Sequence, residues 1–283
     1  MPREGLAGEE PFGIPTCQDW RRFLAWARLE DWRVPARELA LYRNELADSA
    51  FVLRNVDRAP VGFVTVCRHL RSAWIGNLII DPARRGEGCG RRLFEHAVGM
   101  LAARGVATLW LTASTDGRRL YATCGFREAG HVERWVWQGA PPVPTQVEVA
   151  ANGDLRALTR ADAAAWGDSR VGLLTLLARG GRIVSSGSSI ALLQPANDLN
   201  VLGPWLTADC CPRANRSVLS MVLEMLGGRG ELAVDVLGGS PLRILLQGAG
   251  FRQTGETLLM VRGGSGPAQF SQVVALASLG SMG

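Results

Sequence analysis

"NLIIDPARRGEGCGRRLF", Asn77 to Phe94, runs an apolar strand-like segment into an arginine-flanked glycine cluster and then into an amphipathic helical pattern. A chain entering a helix in this way leaves backbone N–H groups without intrahelical partners, and these groups together with the helix dipole favour an anion. Gly86, Gly88 and Gly90 let the main chain approach that anion with no Cβ in the way. Arg85, Arg91 and Arg92 can add charge-assisted hydrogen bonds of about 1.5–3 kcal/mol each before screening. The favoured ligand is a phosphate, or a pyrophosphate. A P-loop is excluded because it requires a lysine, and all 31 basic residues are arginine. A dinucleotide fingerprint needs a third glycine where Arg91 stands and belongs after the first strand rather than the third. A glycine-rich turn that only caps a helix stays open at this point.

Working outward, "TCQDWRRFLAWARLE" places Trp20, Phe23, Leu24 and Ala27 at helical spacing behind Thr16 as N-cap, and Pro35 suits the first turn of a second helix ending near Leu46. "AFVLRNV", "PVGFVTVCRHL" and "SAWIGNLII" read as strands, the first two joined by a tight "DRAP" turn. The glycine cluster opens a helix from about Gly88 to Arg104, with Leu93, Ala97, Met100 and Leu101 on one face. A strand "VATLWLTA", a helix "GRRLYATC" and a strand "HVERWVW" follow.

The 283 residues favour two domains, and 47% apolar with 20% charged residues allows real cores. The clearest break is "QGAPPVPTQ", which divides the chain into residues 1–138, a linker at 139–146 and residues 147–283. "RGGSGP" precedes an apolar tail, "FSQVVALASLG", expected to dock on the second domain. The net charge is +5, but the basic residues are dispersed, so nucleic acid is not an expected partner. No stretch resembles an export signal or a run of about 18 apolar residues, so no membrane role is expected. Six cysteines without a C-x-x-C pair and three histidines suggest no metal and a reducing cytoplasm.

The run Arg85-Gly86-Glu87-Gly88-Cys89-Gly90 after Leu78-Ile79-Ile80 resembles the R/Q-x-x-G-x-G/A signature of the GNAT family of acetyl-CoA-dependent N-acyltransferases. "STDGRRLYATCGF" resembles the same family's N-x-x-A-x-x-L-Y-x-x-x-G-F segment through Leu120, Tyr121, Gly125 and Phe126. Ser114 stands where the family often has Asn and Gly117 where it often has Ala. The likeness covers roughly Thr16 to Trp137.

The resemblance implies a mixed α/β fold, a largely antiparallel twisted sheet with a splayed central strand pair and flanking helices. It also implies acetyl-CoA as co-substrate, held by the backbone of Leu78, Ile79 and Ile80, by the loop Arg85, Gly86, Glu87, Gly88, Cys89, Gly90 and Arg91, and by Ser114. The acyl carbonyl would then lie near the strand's N–H groups, with Tyr121 as proton donor to the departing thiolate. The amine acceptor, a small molecule or a peptide, must lose a proton before it attacks. Glu30, Asp31 and Trp32, at the end of the first helix, are candidates for the acceptor wall, against the simpler reading of a solvated helix end. Asp116 and Glu133 are weaker candidates. Cys124 and Cys89 read as packed thiols and His69 as an exposed polar residue. A CoA-binding regulatory module without turnover is the alternative.

The second half repeats the first. "NVLGPWLTADCCPRANRSVLSMVLEML" lies over "AWIGNLIIDPARRGEGCGRRLFEHAVGML", and "LAVDVLGGSPLRILLQGAGF" over "ATLWLTASTDGRRLYATCGF". The glycine cluster is replaced by "CCPRANRS", whose proline removes an N–H, and Leu246 falls where Tyr121 stands. The half resembles the degenerate second domain of tandem bacterial acetyltransferases. It either completes the acceptor pocket, with Trp166, Asp168, Arg170, Trp205 or Asp235 as lining candidates, or simply packs.

Overall fold

The computed structural model describes residues 11–139, 151–240, 242–264 and 268–283. The interdomain linker read at 139–146 lies outside the described residues from residue 140 onward, as do residues 265–267, the last three of "RGGSGP". The first half runs β1 (Phe12–Gly13), α1 (Cys17–Leu29), α2 (Ala36–Arg43), β2 (Ala50–Arg54), β3 (Pro60–Arg68), β4 (Ser72–Ile80), α3 (Cys89–Ala103), β5 (Thr108–Ala113), α4 (Gly117–Thr123) and β6 (Arg127–Trp137). The second repeats that order as β7 (Ala151–Asn152), α5 (Leu155–Trp166), α6 (Val171–Ala178), β8 (Arg182–Ser186), β9 (Ser189–Gln194), β10 (Asn200–Thr207), α7 (Pro212–Leu226), β11 (Leu232–Leu237), α8 (Arg243–Gly248) and β12 (Arg252–Arg262), and adds β13 (Val273–Ala275).

Local chemistry starts these elements. Thr16 and Asp19 form a reciprocal capping box on α1, and Asp19 also pairs with Arg54 at 2.6 Å, tying the helix to β2. In the "DRAP" turn the Asn55 side chain accepts the N–H groups of Asp57 and Ala59 while Arg58 adopts φ 61°.

Long-range pairing goes beyond the sequence reading. Among the described residues one sheet of thirteen strands spans the molecule, in the order β1-β2-β3-β4-β5-β12-β6-β11-β13-β10-β9-β8-β7. The two halves exchange their last long strands. β12 from the second half lies beside β5, from Leu258↔Ala113 to Arg262↔Leu109, and β6 from the first half lies beside β11, from Leu232↔Trp137 to Leu237↔Val132. Side chains follow the backbone: Met260 of β12 packs in the core under α3 with Leu93 and Phe94, whereas Trp135 and Trp137 of β6 pack with Trp205, Val218 and Phe251. A third core, containing Trp20, Phe23, Trp74, Trp166 and Leu276, belongs to both halves.

β4 and β5 are parallel neighbours only from Ser72↔Thr108 to Trp74↔Trp110 and then diverge. β10 and β11 pair in parallel only at Asn200↔Leu232 and Val201↔Ala233. In the second half β13 fills that gap, antiparallel to both strands. β13 of the tail pairs within the second half, and residues 276–283 then cross to the first half, where Leu276, Ala277 and Met282 join the shared core. There the Leu279, Gly280 and Ser281 carbonyls accept from Arg134 (2.9 Å), the Trp74 indole (3.0 Å) and the Tyr42 hydroxyl (2.9 Å).

Candidate active site

Where β4 and β5 diverge, a cavity of about 700 Å³ opens between the glycine loop, α2, α4 and the crossing tail. Its size is that of a pocket for a cofactor or drug-sized molecule. Asn77, at φ 52°, interrupts β4 and gives its amide to the Thr65 hydroxyl at 3.2 Å, so the strand is irregular just before Leu78, Ile79 and Ile80 reach the cavity wall.

Gly86 and Gly88 have φ 81° and 78°, the left-handed region that other residues rarely enter, and a Cβ on either would meet nothing within 4 Å. The loop is therefore open on its outer side, and its N–H groups lead into the start of α3. Gly90 differs: its φ is unexceptional and a Cβ there would make ordinary contact with Ile80 at 3.5 Å.

Of the residues that the family likeness implicates, Leu78, Ile79, Ile80, Arg85, Gly86, Gly88, Cys89, Gly90, Arg91, Ser114 and Tyr121 all line this one cavity. Glu87 does not; it pairs with Arg84 at 2.8 Å. Arg91 spans from Glu95 to the Thr123 hydroxyl (2.8 Å), joining α3 to α4, and the Ser114 hydroxyl accepts the Gly117 N–H at 3.2 Å, holding the start of α4. A Cβ on Gly117 would lie 2.9 Å from the Tyr121 ring, so this glycine makes room for the ring.

Burial pushes the Tyr121 hydroxyl well up from its ordinary value, and Cys124 adds to the effect, so at neutral pH the residue is a proton donor and not a phenolate. Its ring packs on Phe94 and Phe126, with centroids 5.0 and 6.3 Å away.

Among the acceptor-wall candidates, Glu30 and Trp32 line the cavity and Asp31 does not; Glu30 pairs with Arg85 of the loop at 2.6 Å. The carboxyl that the sequence reading missed is Glu38 on α2. It also lines the cavity, is 8% exposed and accepts from the Ser281 hydroxyl. Burial raises it to about 7, the Asp235 carboxylate adds to this, and Ser281, Arg134 and the Leu279 N–H hold it back. The available signal was its position: Glu38, Leu41 and Tyr42 fall at i, i+3 and i+4, so an acid shares the helix's apolar face.

The second half contributes Thr257 of β12 and Leu279 and Gly280 of the tail to the wall. None of Trp166, Asp168, Arg170, Trp205 and Asp235 lines it, although Asp235 holds Arg134, which does, through two bonds of 2.8 and 2.7 Å. Asp116 lines the cavity too, whereas Glu133 bonds Arg243 and Trp135. His69 departs from its expected exposure: both ring nitrogens are buried without a partner. In the second half the equivalent loop has no glycine, and the Asn215 amide donates to the Cys211 carbonyl at 2.9 Å inside the start of α7. β13 occupies the strand gap beside it.

Residues 47–128 match the family model described as an acetyltransferase (GNAT) domain. That segment of the chain is similar to a GNAT domain. Over 63 residues it is 41% identical to the [ribosomal protein bS18]-alanine N-acetyltransferase of Escherichia coli K12, and over 62 residues 36% identical to that of Haemophilus ducreyi. Each match covers 21% of this chain and 43% of the relative, so the chain spans less than half the length of these curated relatives. Solved structures extend the GNAT likeness to the whole fold. A candidate acetyltransferase from Pyrococcus horikoshii superposes with a TM-score of 0.78 at 19% identity over 100% of this chain and 99% of that one. A tandem GNAT protein from the clavulanic acid biosynthesis pathway gives 0.57 at 16% identity over 88% and 94%. The glycine loop, β4 and the whole of α4 fall inside the matched GNAT segment; Glu38 and the tail lie outside it. The described residues contain no group of three His, Cys, Asp or Glu placed to hold a metal, and no helix long and apolar enough to cross a membrane.

Proposed function

We propose that the chain is an N-acyltransferase that moves an acetyl, or another short acyl, group from acetyl-CoA to an amine, with both substrates bound together in the cavity of the first half. The observation that carries this reading is that the glycine loop, Leu78–Ile80, Tyr121 and Glu38 all line one cavity. The open outer side of Gly86 and Gly88 fits a pyrophosphate, and acetyl-CoA would supply an activated thioester carbonyl.

The main chain of Leu78 to Ile80 then orients the cofactor arm and presents N–H groups to the developing oxyanion. Glu38, raised to about 7, ionises in the range where it can take a proton from an ammonium, leaving the neutral amine to attack. The new N–C bond forms as the C–S bond breaks, and Tyr121 gives its proton to the leaving sulfur. The amine's second proton passes to solvent, from which Tyr121 is restored. Thr257, Leu279 and Gly280 shape the acceptor end, which gives the second half a role in the reaction. The curated relatives are named for an alanine of a ribosomal protein, which supports an amine on a small molecule or a peptide as the acceptor class here. Six free cysteines suit a reducing cytoplasm.

Thiol release from acetyl-CoA across a panel of amines tests the reading: acceptor-dependent release is expected. Cofactor binding with no acceptor-dependent release would instead identify a CoA sensor. Tyr121→Phe keeps the ring against Phe94 and removes the proton, so turnover is expected to fall about 10²-fold or more with little change in acetyl-CoA affinity. An unaltered rate would remove Tyr121 from the reaction.

A further inference from the structure

At the other end of β4 and β5, where Trp74 and Trp110 still pair, a second cavity of about 170 Å³ opens between the halves. Trp74 and Trp110 from the first half and Trp166 from the second form its aromatic walls, Trp166 meeting the other two edge-on at centroid distances of 6.3 and 5.6 Å. His69 completes the wall. Three buried polar atoms here have no partner: both ring nitrogens of His69 and the Trp166 indole nitrogen. Buried donors and acceptors are nearly always satisfied by protein or by ordered water in folded proteins, so three orphans around one cavity mark positions that water or a polar ligand fills.

The remaining polar groups are already engaged. Asp168 accepts from the Ser72 hydroxyl at 2.7 Å and from the N–H groups of Ser72, Arg71 and Ser169. Arg170 holds Asp162 through bonds of 3.0 and 2.5 Å, and the Arg71 guanidinium gives a bond to the Gly167 carbonyl and lies 3.8 Å from Asp168. The charges thus cancel in pairs. Burial pushes His69 down to about 3, with the Arg170 charge acting in the same direction and Asp168 against it, so the imidazole is neutral, with one N–H and one acceptor nitrogen. The cavity offers an N–H donor, an acceptor and aromatic walls. A cavity of about 150 Å³ accommodates a benzene ring, so this one has room for a single six-membered ring with a small substituent.

We propose that this cavity is a binding site for a small, uncharged, planar ring bearing a carboxamide or lactam. The carbonyl accepts from the Trp166 indole and the amide N–H donates to the unprotonated nitrogen of His69; the His69 N–H points away on the far side of the ring and is left to water.

Calorimetric titration of the full chain with nicotinamide, 2-pyridone, benzoate and toluene tests this. Saturable binding of the two amides, weaker or absent for benzoate and toluene and unaffected by saturating acetyl-CoA, is expected. Trp166→Phe keeps an aromatic ring and loses the donor, and should weaken the amides about three- to tenfold. Because that variant alters the shared core, a wild-type crystal soaked with nicotinamide gives an independent reading, with the ring expected beside Trp166 and His69. Failure of both amides to bind, toluene binding as tightly, competition by acetyl-CoA, or water alone in the soaked crystal would overturn the proposal.

Discussion

Glu38→Gln is expected to lower kcat/KM by about 10²- to 10⁴-fold, the usual contribution of a positioned general base. Glutamine keeps the shape and can still accept from the Ser281 hydroxyl, so the substitution removes mainly the ability to take a proton. In the wild type, kcat/KM should rise as Glu38 ionises around pH 7, and the variant should lack that limb. Stability should move in the opposite sense. The carboxyl is raised from its ordinary 4.5 to about 7, so between those values the folded chain keeps a proton that the unfolded chain has lost. Its contribution is complete below about pH 4.5 and fades as pH rises through 7, amounting to about 3 kcal/mol. The variant should therefore be slower and, at pH 8, no less resistant to denaturant than the wild type. A variant that kept both the rate and the pH limb would show that another group accepts the proton.

Gly88→Glu should weaken acetyl-CoA binding by about 10²-fold or more. Its left-handed φ costs a non-glycine residue about 1–2 kcal/mol, and the new side chain would meet no protein atom near its Cβ. The carboxylate therefore projects into the space assigned to the pyrophosphate and sets a negative charge beside the N–H groups that would hold it. Thermal unfolding should show only the modest backbone cost. Unchanged affinity in a folded variant would place the pyrophosphate elsewhere.

The features legible in the sequence are those whose cause is local. Gly86 and Gly88 are conspicuous because the loop requires their conformation, Thr16 because it caps α1, and Tyr121 because it stands in a recognisable segment of α4. The repeat was visible because both halves keep the same succession of turns, strands and helices. The strand exchange is not visible there, since β6 and β12 are of equal length and each ends in a short apolar run, 135–137 and 258–261, that would suit either partner; the choice is made by packing over a distance. The apolar residues Leu276, Ala277 and Met282 announce that the tail is buried but not where; its path is also fixed by carbonyl bonds and by close approach to Gly76, where a Cβ would lie 2.6 Å from Ser281. Glu30, Asp31 and Trp32 form a charged helix end, yet the buried acid lies on the next helix, where its placement among Leu41 and Tyr42 is the informative signal.

The second half keeps the fold and, on this account, lacks a cofactor site. Its loop has no glycine with an open outer side, and β13 already bonds the strands that would otherwise stand apart. Calorimetric titration of the full chain with acetyl-CoA tests this division most directly. One binding site per chain is predicted, lost in Gly88→Glu; two sites, or a single site that survives that substitution unchanged, would contradict it.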